Sequence, residues 1–196
     1  HQCLEDMGIM RTIPGMTILN PADDAEARAA VKAAIEMEGP VYLRFGRLAA
    51  PIFNDPETYQ FEIGKGITLR AGKDVTLVAT GLMVSEALDA AEQLAAEGIS
   101  ARVLNIHTIK PLDVDLIAKA AAETGLLITV EEHSIIGGLG AAVAEAVCDT
   151  CPVPVVRIGV NDEYGYSGPA MDLLKEFGLC AEHIVEVAKA SMVKKS

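Results

Sequence analysis

The last two-thirds of the chain alternates between short apolar runs and stretches with helical spacing, and this alternation restricts the fold more than any other feature. Strands are predicted at 74–80, 101–106, 126–131 and 153–159, and helices at 84–97, 113–123, 139–150, 169–177 and 182–195. Apolar strands separated by helices of this length form parallel sheets with helices on both faces. Residues 67–196 are therefore predicted to be α/β, with a mostly parallel five-stranded α/β/α sheet and an antiparallel edge strand at 67–70.

The first 47 residues predict a smaller α/β unit containing only part of a parallel sheet. Strands at 16–20 and 41–45 flank a helix that begins after Asp23 and runs to about residue 38. Asp23 is predicted to be the N-cap, and Glu26 three residues later completes a capping box. The spacing of apolar residues predicts an inner helix face formed by Ala27, Val31, Ala34 and Ile35.

The periodicity disappears between these two units. Residues 48–66 contain several turn formers together with Phe53, Tyr59 and Phe61. Because aromatic side chains favour burial, this segment is predicted to be a linker that lies against a surface. The predicted organisation is a first domain at 1–47, a linker at 48–66 and a second domain at 67–196.

Composition excludes several classes of function. The 196 residues carry a net charge of -12, with a pI near 4.7, which disfavours nucleic-acid binding. No apolar run reaches the roughly 18 residues of a membrane span and no signal peptide is visible, so a cytoplasmic location is expected. Cys148 and Cys151 have the spacing of a redox or half-zinc pair, but they end a predicted helix and lack a second ligand pair. They are interpreted as structural thiols, and no metal site is predicted.

Ligands bind open parallel sheets at the carboxyl ends of strands, so the residues that follow each strand are candidates for a site. The glycine-rich turn at 137–140 can offer helix N–H groups to a phosphate, but it lacks a nucleotide-loop lysine, and close packing is the favoured interpretation. Glu131 and Glu132 are expected on opposite strand faces and therefore not to share a proton. For His107 and His133, a subunit-interface or capping role is favoured over catalysis.

Arg47 and His1 are the more informative candidates. Arg47 follows the predicted strand at 41–45, where a guanidinium is suited to bidentate phosphate binding. A surface ion pair is the alternative interpretation, and Arg44 is the competing phosphate ligand. Strand alternation predicts that Arg44 and Arg47 point to opposite faces.

The chain resembles the transketolase family over nearly its whole length. Pieces similar to the closing half of the pyrimidine-binding domain are His1-Gln2, Glu5-Asp6, Arg11-Thr-Ile-Pro14, Asn20-Pro-Ala-Asp23, Gly39-Pro40-Val41 and Arg47. Pieces similar to the C-terminal domain are 74–81, 105–113, 131–140 and Ser167-Gly168. The order and spacing of these pieces are jointly specific. They identify the chain as resembling the C-terminal subunit or section of a split transketolase, whose pyrimidine domain begins before His1.

The resemblance implies transfer of a two-carbon ketol unit from a ketose phosphate to an aldose phosphate, as in the pentose phosphate pathway. It implies that His1 is catalytic, donating a hydrogen bond near the reacting oxygens, that Arg47 binds the substrate phosphate and that Gln2 assists in substrate binding. Thiamine diphosphate and Mg are the implied cofactors, held mainly by segments or a subunit outside this chain. The implied partners are a transketolase N-terminal subunit and a second copy bound through the C-terminal domain, and the chain alone is expected to be inactive.

Three alternatives stay open. A 1-deoxy-D-xylulose-5-phosphate synthase shares several of these motifs, although His1-Gln2 stands where that family tends to have two histidines. The beta subunit of a pyruvate dehydrogenase is disfavoured because it needs no phosphate-binding arginine. Residues 67–196 also suit a non-catalytic dimerisation or scaffold module, since they contain no complete site.

Overall fold

The computed structural model describes residues 3–47 and 49–195, without the side chains of the last two. Its helices are α1 (Asp6–Arg11), α2 (Asp24–Glu36), α3 (Met83–Ala96), α4 (Val114–Thr124), α5 (Leu139–Asp149), α6 (Ala170–Glu176) and α7 (Ala181–Lys195). Its strands are β1 (Thr17–Leu19), β2 (Val41–Leu43), β3 (Ile67–Arg70), β4 (Val75–Ala79), β5 (Ala101–Asn105), β6 (Thr108–Lys110), β7 (Leu127–Ser134) and β8 (Val155–Val160).

The larger sheet has the strand order β3-β5-β4-β7-β8, in which β3 is antiparallel and the others are parallel. One hydrophobic core packs α3 and α7 against one face, and a second core packs α4 and α5 against the other. All five residues of β4 are buried, as expected for a central strand covered on both sides. The predicted α/β/α architecture and its antiparallel edge strand are confirmed.

The smaller sheet joins the two parts of the molecule. Its order is β2-β1-β6, in which β1 and β2 are parallel and β6 is antiparallel to β1. The sequence did not predict β6, because residues 107–113 were interpreted as a loop after β5. Three residues carry too weak a local pattern to indicate a strand, and β6 forms because β1 offers its free edge.

Helix α2 confirms the predicted cap but not the predicted inner face. The Asp23 carboxylate accepts the Glu26 N–H at 2.9 Å, and the Glu26 carboxylate accepts the Ala22 N–H at 2.6 Å. The buried residues of α2 are Ala25, Glu26 and Ala30, whereas Val31 is 38% and Ile35 79% exposed. The inner-face prediction was wrong because the buried face is organised around the carboxylate of Glu26, which accepts a hydrogen bond from the Asn105 amide at 2.8 Å.

Residues 49–66 contain no helix or strand, and part of the segment contacts α2 and the residue that caps it. The Tyr59 hydroxyl donates to Glu26, and Asp23 accepts the backbone N–H groups of Phe53 and Asn54 at 3.1 and 2.9 Å. The segment is therefore anchored to α2 at two places.

Candidate functional site

A cleft of about 1170 Å³ lies between the first unit and the loop that follows β8. It is lined by Cys3–Asp6, Tyr42–Arg47, Glu132, Val160, Tyr164–Gly168 and parts of 170–179. These segments include the described start of the chain, the end of β2 and the end of β7. Two of them end parallel strands, where α/β proteins bind ligands.

Arg47 lies in this cleft and is exposed. Within the described residues its guanidinium makes no ion pair within 4.0 Å and no hydrogen bond, so the alternative interpretation as a surface ion pair has no support there. The group is therefore available to an anion. His1 and Gln2 lie outside the described residues, which begin at Cys3 on the wall of the same cleft. The roles of His1, Gln2 and Arg47 stay predictions.

Arg44, the competing candidate, is committed to the protein itself. Its Nε donates to Asp6 Oδ2 at 2.9 Å, and its Nη2 donates to the carbonyls of Glu132 at 2.8 Å and Cys3 at 3.3 Å. Only 12% of its side chain is exposed. One guanidinium thus connects the start of the chain, the end of β2 and β7.

The predicted separation of Arg44 and Arg47 onto opposite strand faces does not apply to them, because β2 ends at Leu43 and strand alternation does not extend beyond it. Both residues line the same cleft. The two arginines differ in their contacts instead. Arg44 holds the structure and Arg47 faces solvent.

Tyr42 completes the polar cluster beneath the cleft. Its hydroxyl donates to Asp6 Oδ2 at 2.8 Å. Burial first, and then the Asp6 carboxylate, raise the pKa of Tyr42 to about 12. The phenol therefore stays a neutral hydrogen-bond donor, and both oxygens of Asp6 are engaged by Tyr42 and Arg44.

The glycine-rich turn before α5 is filled by a side chain of the protein. Glu131 is fully buried, and its two carboxylate oxygens accept the N–H groups of Leu139 at 2.6 Å and Gly140 at 2.8 Å. A Cβ on Gly138 would lie 2.0 Å from Glu131 Oε2, so glycine is required by close packing. The structure supports the packing interpretation, because Glu131 already occupies the place of an anion at this helix N-terminus.

Burial raises the pKa of Glu131 to about 7, although the two N–H donors act in the opposite direction. Glu132, the next residue, lies 3.9 Å from the Arg44 guanidinium. The two carboxylates are thus engaged separately, as predicted from strand alternation.

His133 joins β7 to α1. It is fully buried, its Nδ1 donates to the Ser134 carbonyl at 2.7 Å and its Nε2 accepts the Gly8 N–H at 3.2 Å. Burial lowers its pKa, so the ring is neutral in this arrangement. The contact lies within the chain and satisfies an N–H group in the first turn of α1, so it supports the capping role and not the subunit interface.

His107 is also buried and packs against Phe61, with ring centroids 4.2 Å apart. Burial lowers the pKa of His107 to about 4. A histidine in this position supports the linker rather than a proton transfer in the cleft, whose lining does not include it.

The low pKa of His107 predicts an acid-sensitive contribution to stability. A histidine whose pKa falls from 6.5 unfolded to about 4 folded destabilises the native state progressively as pH falls from 6.5 to 4. We expect the free energy of unfolding of the wild type to fall relative to that of His107→Gln by about 2 kcal/mol between pH 7 and pH 5. Urea unfolding of both proteins at the two pH values measures this change. Comparison of the wild type with His107→Gln cancels the contributions of other titrating groups. A free-energy difference between the two proteins that is the same at pH 7 and pH 5 would contradict the prediction.

The described residues, 3–47 and 49–195, contain no group of three or more His, Cys, Asp or Glu side chains placed to hold a metal ion. None of the helices in the same part of the chain is long and apolar enough to cross a membrane.

Fold and cleft together define an α/β protein in which two sheets are joined and an exposed arginine follows the end of a parallel strand. Family comparison makes this class specific. Residues 1–52 match the transketolase pyrimidine binding domain, and residues 64–184 match the transketolase C-terminal domain. The chain therefore belongs to the transketolase family.

Relatives agree with this assignment. The chain is 48% identical over 188 residues to the 6-deoxy-6-sulfo-D-fructose transketolase subunit SqwH of Clostridium sp. (strain MSTE9), covering 96% of this chain and 58% of the relative. It is 44% identical to one subunit of the apulose-4-phosphate transketolase of Phocaeicola vulgatus, covering 96% and 60%. The chain thus spans about 60% of the length of these relatives. Proteins named 1-deoxy-D-xylulose-5-phosphate synthase also match, at 36–41% identity.

A solved structure described as a split gene transketolase in an inactive beta4 tetramer has the same fold. Its TM-score to this chain is 0.95 and its sequence identity is 48%. The match covers 98% of this chain and 63% of that one.

The sequence pointed to Arg44 and to Asp6, but not to their contact. Asp6 stands out in the sequence only as part of the family motif, and Arg44 only as a rival of Arg47. A carboxylate and a guanidinium 38 positions apart give no local signal of pairing. The contact between Asp6 and Arg44 was therefore visible only in the tertiary structure.

Proposed function

We propose that this chain is the C-terminal part of a transketolase that transfers a two-carbon ketol unit between sugar phosphates. The observation that carries the proposal is Arg47, an exposed guanidinium that follows β2 and shares a cleft with the start of the chain. Family membership supplies the reaction class, and an unengaged arginine is the group needed to bind the phosphate of such a substrate.

Within this proposal Arg47 binds the phosphate and fixes the distance from there to the reacting carbons. His1 is the proposed catalytic residue, which donates a hydrogen bond to oxygen as negative charge develops, and Gln2 assists in holding the substrate. Cys3, the residue that follows Gln2 in the sequence, lines the cleft.

Thiamine diphosphate would supply the carbanion chemistry, but the described residues do not fit it. They contain no metal-binding cluster, and the cleft carboxylate of Asp6 is already engaged by Arg44 and Tyr42. We therefore assign binding of the diphosphate and Mg to a partner, a transketolase N-terminal subunit. The proposed location is cytoplasmic, as expected from composition.

Exposed apolar side chains support a role as part of a larger assembly. Val31 and Ile35 on α2 and Phe45 after β2 are 38%, 79% and 53% exposed. Burying them against another polypeptide would stabilise a complex by the hydrophobic effect. We propose contact with the N-terminal subunit and dimerisation through residues 67–196.

The decisive experiment assays the chain together with its N-terminal subunit, thiamine diphosphate and Mg. Xylulose 5-phosphate plus ribose 5-phosphate is offered in one reaction and pyruvate plus glyceraldehyde 3-phosphate in another. We expect turnover in the first reaction only, and none from either subunit alone. Turnover of pyruvate alone would support the synthase alternative. No turnover from any mixture would favour a scaffold module.

Cofactor binding can be measured separately. We expect thiamine diphosphate with Mg to leave the melting temperature of this chain unchanged, because the proposal assigns their ligands to the N-terminal subunit. A ligand present at 100 times its Kd would raise the free energy of unfolding by about 2.7 kcal/mol. For a chain of this size, that increase raises the melting temperature by about 5–10 °C. Differential scanning fluorimetry checks this, with the two-subunit mixture as the positive control. A rise of several degrees with this chain alone would show that it holds a cofactor site of its own.

A further inference from the structure

We propose that Arg44 is a positioning residue for phosphate recognition, through which the C-terminal domain fixes the place of Arg47. The inference rests on the proposed function, because it concerns the same cleft. It gives the contacts of Arg44 with Asp6 and with the Glu132 backbone a role in substrate selection beyond stability.

The backbone around Arg47 has few contacts of its own. Phe45 is 53% exposed, a Cβ on Gly46 would meet no atom within 4 Å, and Arg47 is exposed. Within the described residues, 45–47 make no hydrogen bond to the rest of the protein. Arg44 is thus the last firmly held residue before the phosphate-binding candidate.

Arg44 itself is held from three directions. Its backbone N–H donates to the Leu19 carbonyl at 2.9 Å, which continues the pairing of β2 with β1. Its guanidinium binds the Asp6 carboxylate at the start of α1 and the Glu132 carbonyl on β7. Because the planar guanidinium directs its donors rigidly, these bonds fix both the position and the direction in which the chain leaves β2.

The same guanidinium also contacts Cys3, another residue of the cleft wall. Its Nη2 donates to the Cys3 carbonyl at 3.3 Å, and Cys3 is two residues from His1. One side chain therefore connects the two segments that carry the proposed substrate ligands. A displacement of about 1 Å between groups that must grip one substrate can cost up to a hundredfold in rate, so loss of this connection should reduce recognition.

The test is the selectivity for phosphate in the two-subunit enzyme. With xylulose 5-phosphate as donor, kcat/KM is measured for ribose 5-phosphate and for ribose. The value for ribose 5-phosphate divided by the value for ribose is the selectivity ratio, which is compared among variants. We expect Arg44→Gln to lower this ratio about tenfold, mainly through a higher KM for ribose 5-phosphate. Arg44→Lys, which keeps the charge but not the planar fork, should lie between Arg44→Gln and the wild type.

A double-variant cycle shows whether Arg44 acts through Arg47. We expect Arg44→Gln combined with Arg47→Gln to have the same ratio as Arg47→Gln alone, because a displaced ligand and an absent ligand lose the same interaction. Arg102→Gln is the matched control, since the Arg102 side chain is 14% exposed, pairs with Glu123 and is not among the residues that line the cleft. This control should leave the ratio unchanged.

The outcomes separate the inference from the proposed function. A wild-type mixture that turns over neither substrate removes the proposed function. A wild type that prefers ribose 5-phosphate, together with an unchanged ratio in Arg44→Gln, overturns the inference alone. An equal loss with both acceptors shows that Arg44 serves stability only and also overturns it. If Arg44→Gln does not assemble, the ratio of Arg44→Lys decides by the same criteria.

Discussion

Replacing Arg47 by glutamine is expected to lower kcat/KM for a phosphorylated acceptor about 10- to 100-fold in the assembled enzyme, the loss expected for charge-assisted hydrogen bonds. The physical reason is that Arg47 is the cleft arginine left available, whereas Arg44 is engaged by Asp6 and two carbonyls. Glutamine keeps some of the side-chain length and polarity but removes the charge. Steady-state kinetics with ribose 5-phosphate and ribose measures the effect.

The unphosphorylated acceptor is the internal control for this variant. Its kcat/KM should change less than about threefold, because ribose has no phosphate for Arg47 to bind. Circular dichroism melting should show no loss of stability, since Arg47 is exposed. Equal losses for ribose and ribose 5-phosphate would show that Arg47 does not recognise phosphate.

Replacing Glu131 by alanine is expected to lower the free energy of unfolding by at least about 3 kcal/mol. The substitution leaves the N–H groups of Leu139 and Gly140 buried without their acceptor and opens a cavity at a fully buried position. Each orphaned donor costs about 1–3 kcal/mol. Urea unfolding of the isolated chain at pH 7 measures the loss.

Glu132→Ala is the matched control for Glu131→Ala. It removes the same side chain from the next position of β7, where the carboxylate is partly exposed and lies 3.9 Å from Arg44. We expect a loss of about 1 kcal/mol or less. Similar losses for the two variants would contradict the assignment of Glu131 as the acceptor of the N–H groups at the start of α5.

The pattern of the sequence was sufficient for most of the second unit. Every predicted strand and helix between 74 and 195 is present, because their apolar periodicity is long and regular. The cap of α2 was also predictable, since Asp23 and Glu26 act on backbone groups within a few residues of themselves.

The pattern failed where long-range contacts decide. β6 has three residues and depends on the edge of β1, which lies about 90 positions earlier in the chain. The inner face of α2 was misassigned because burial of the Glu26 carboxylate depends on Asn105 and Tyr59, which are distant in sequence. Hydrophobicity alone gives no reason to turn a glutamate inward and Ile35 outward.

For the candidate site as well, the sequence indicated one part and the tertiary structure another. Family motifs in the sequence singled out Arg47, and the chemistry of a guanidinium after a strand suggested phosphate. Which of two nearby arginines remains available to a ligand was not decided by the sequence.

By itself, then, the sequence determined the α/β class, the order of its elements and the family, because these follow from local periodicity and from motifs in a fixed order. Only the tertiary structure decided that Arg44 binds Asp6 and the Glu132 carbonyl, that Glu131 accepts the N–H groups at the start of α5 and that β6 pairs with β1. These are pairings between residues about 9 to 90 positions apart, and a buried charge or N–H group takes whichever partner the fold brings within hydrogen-bond distance.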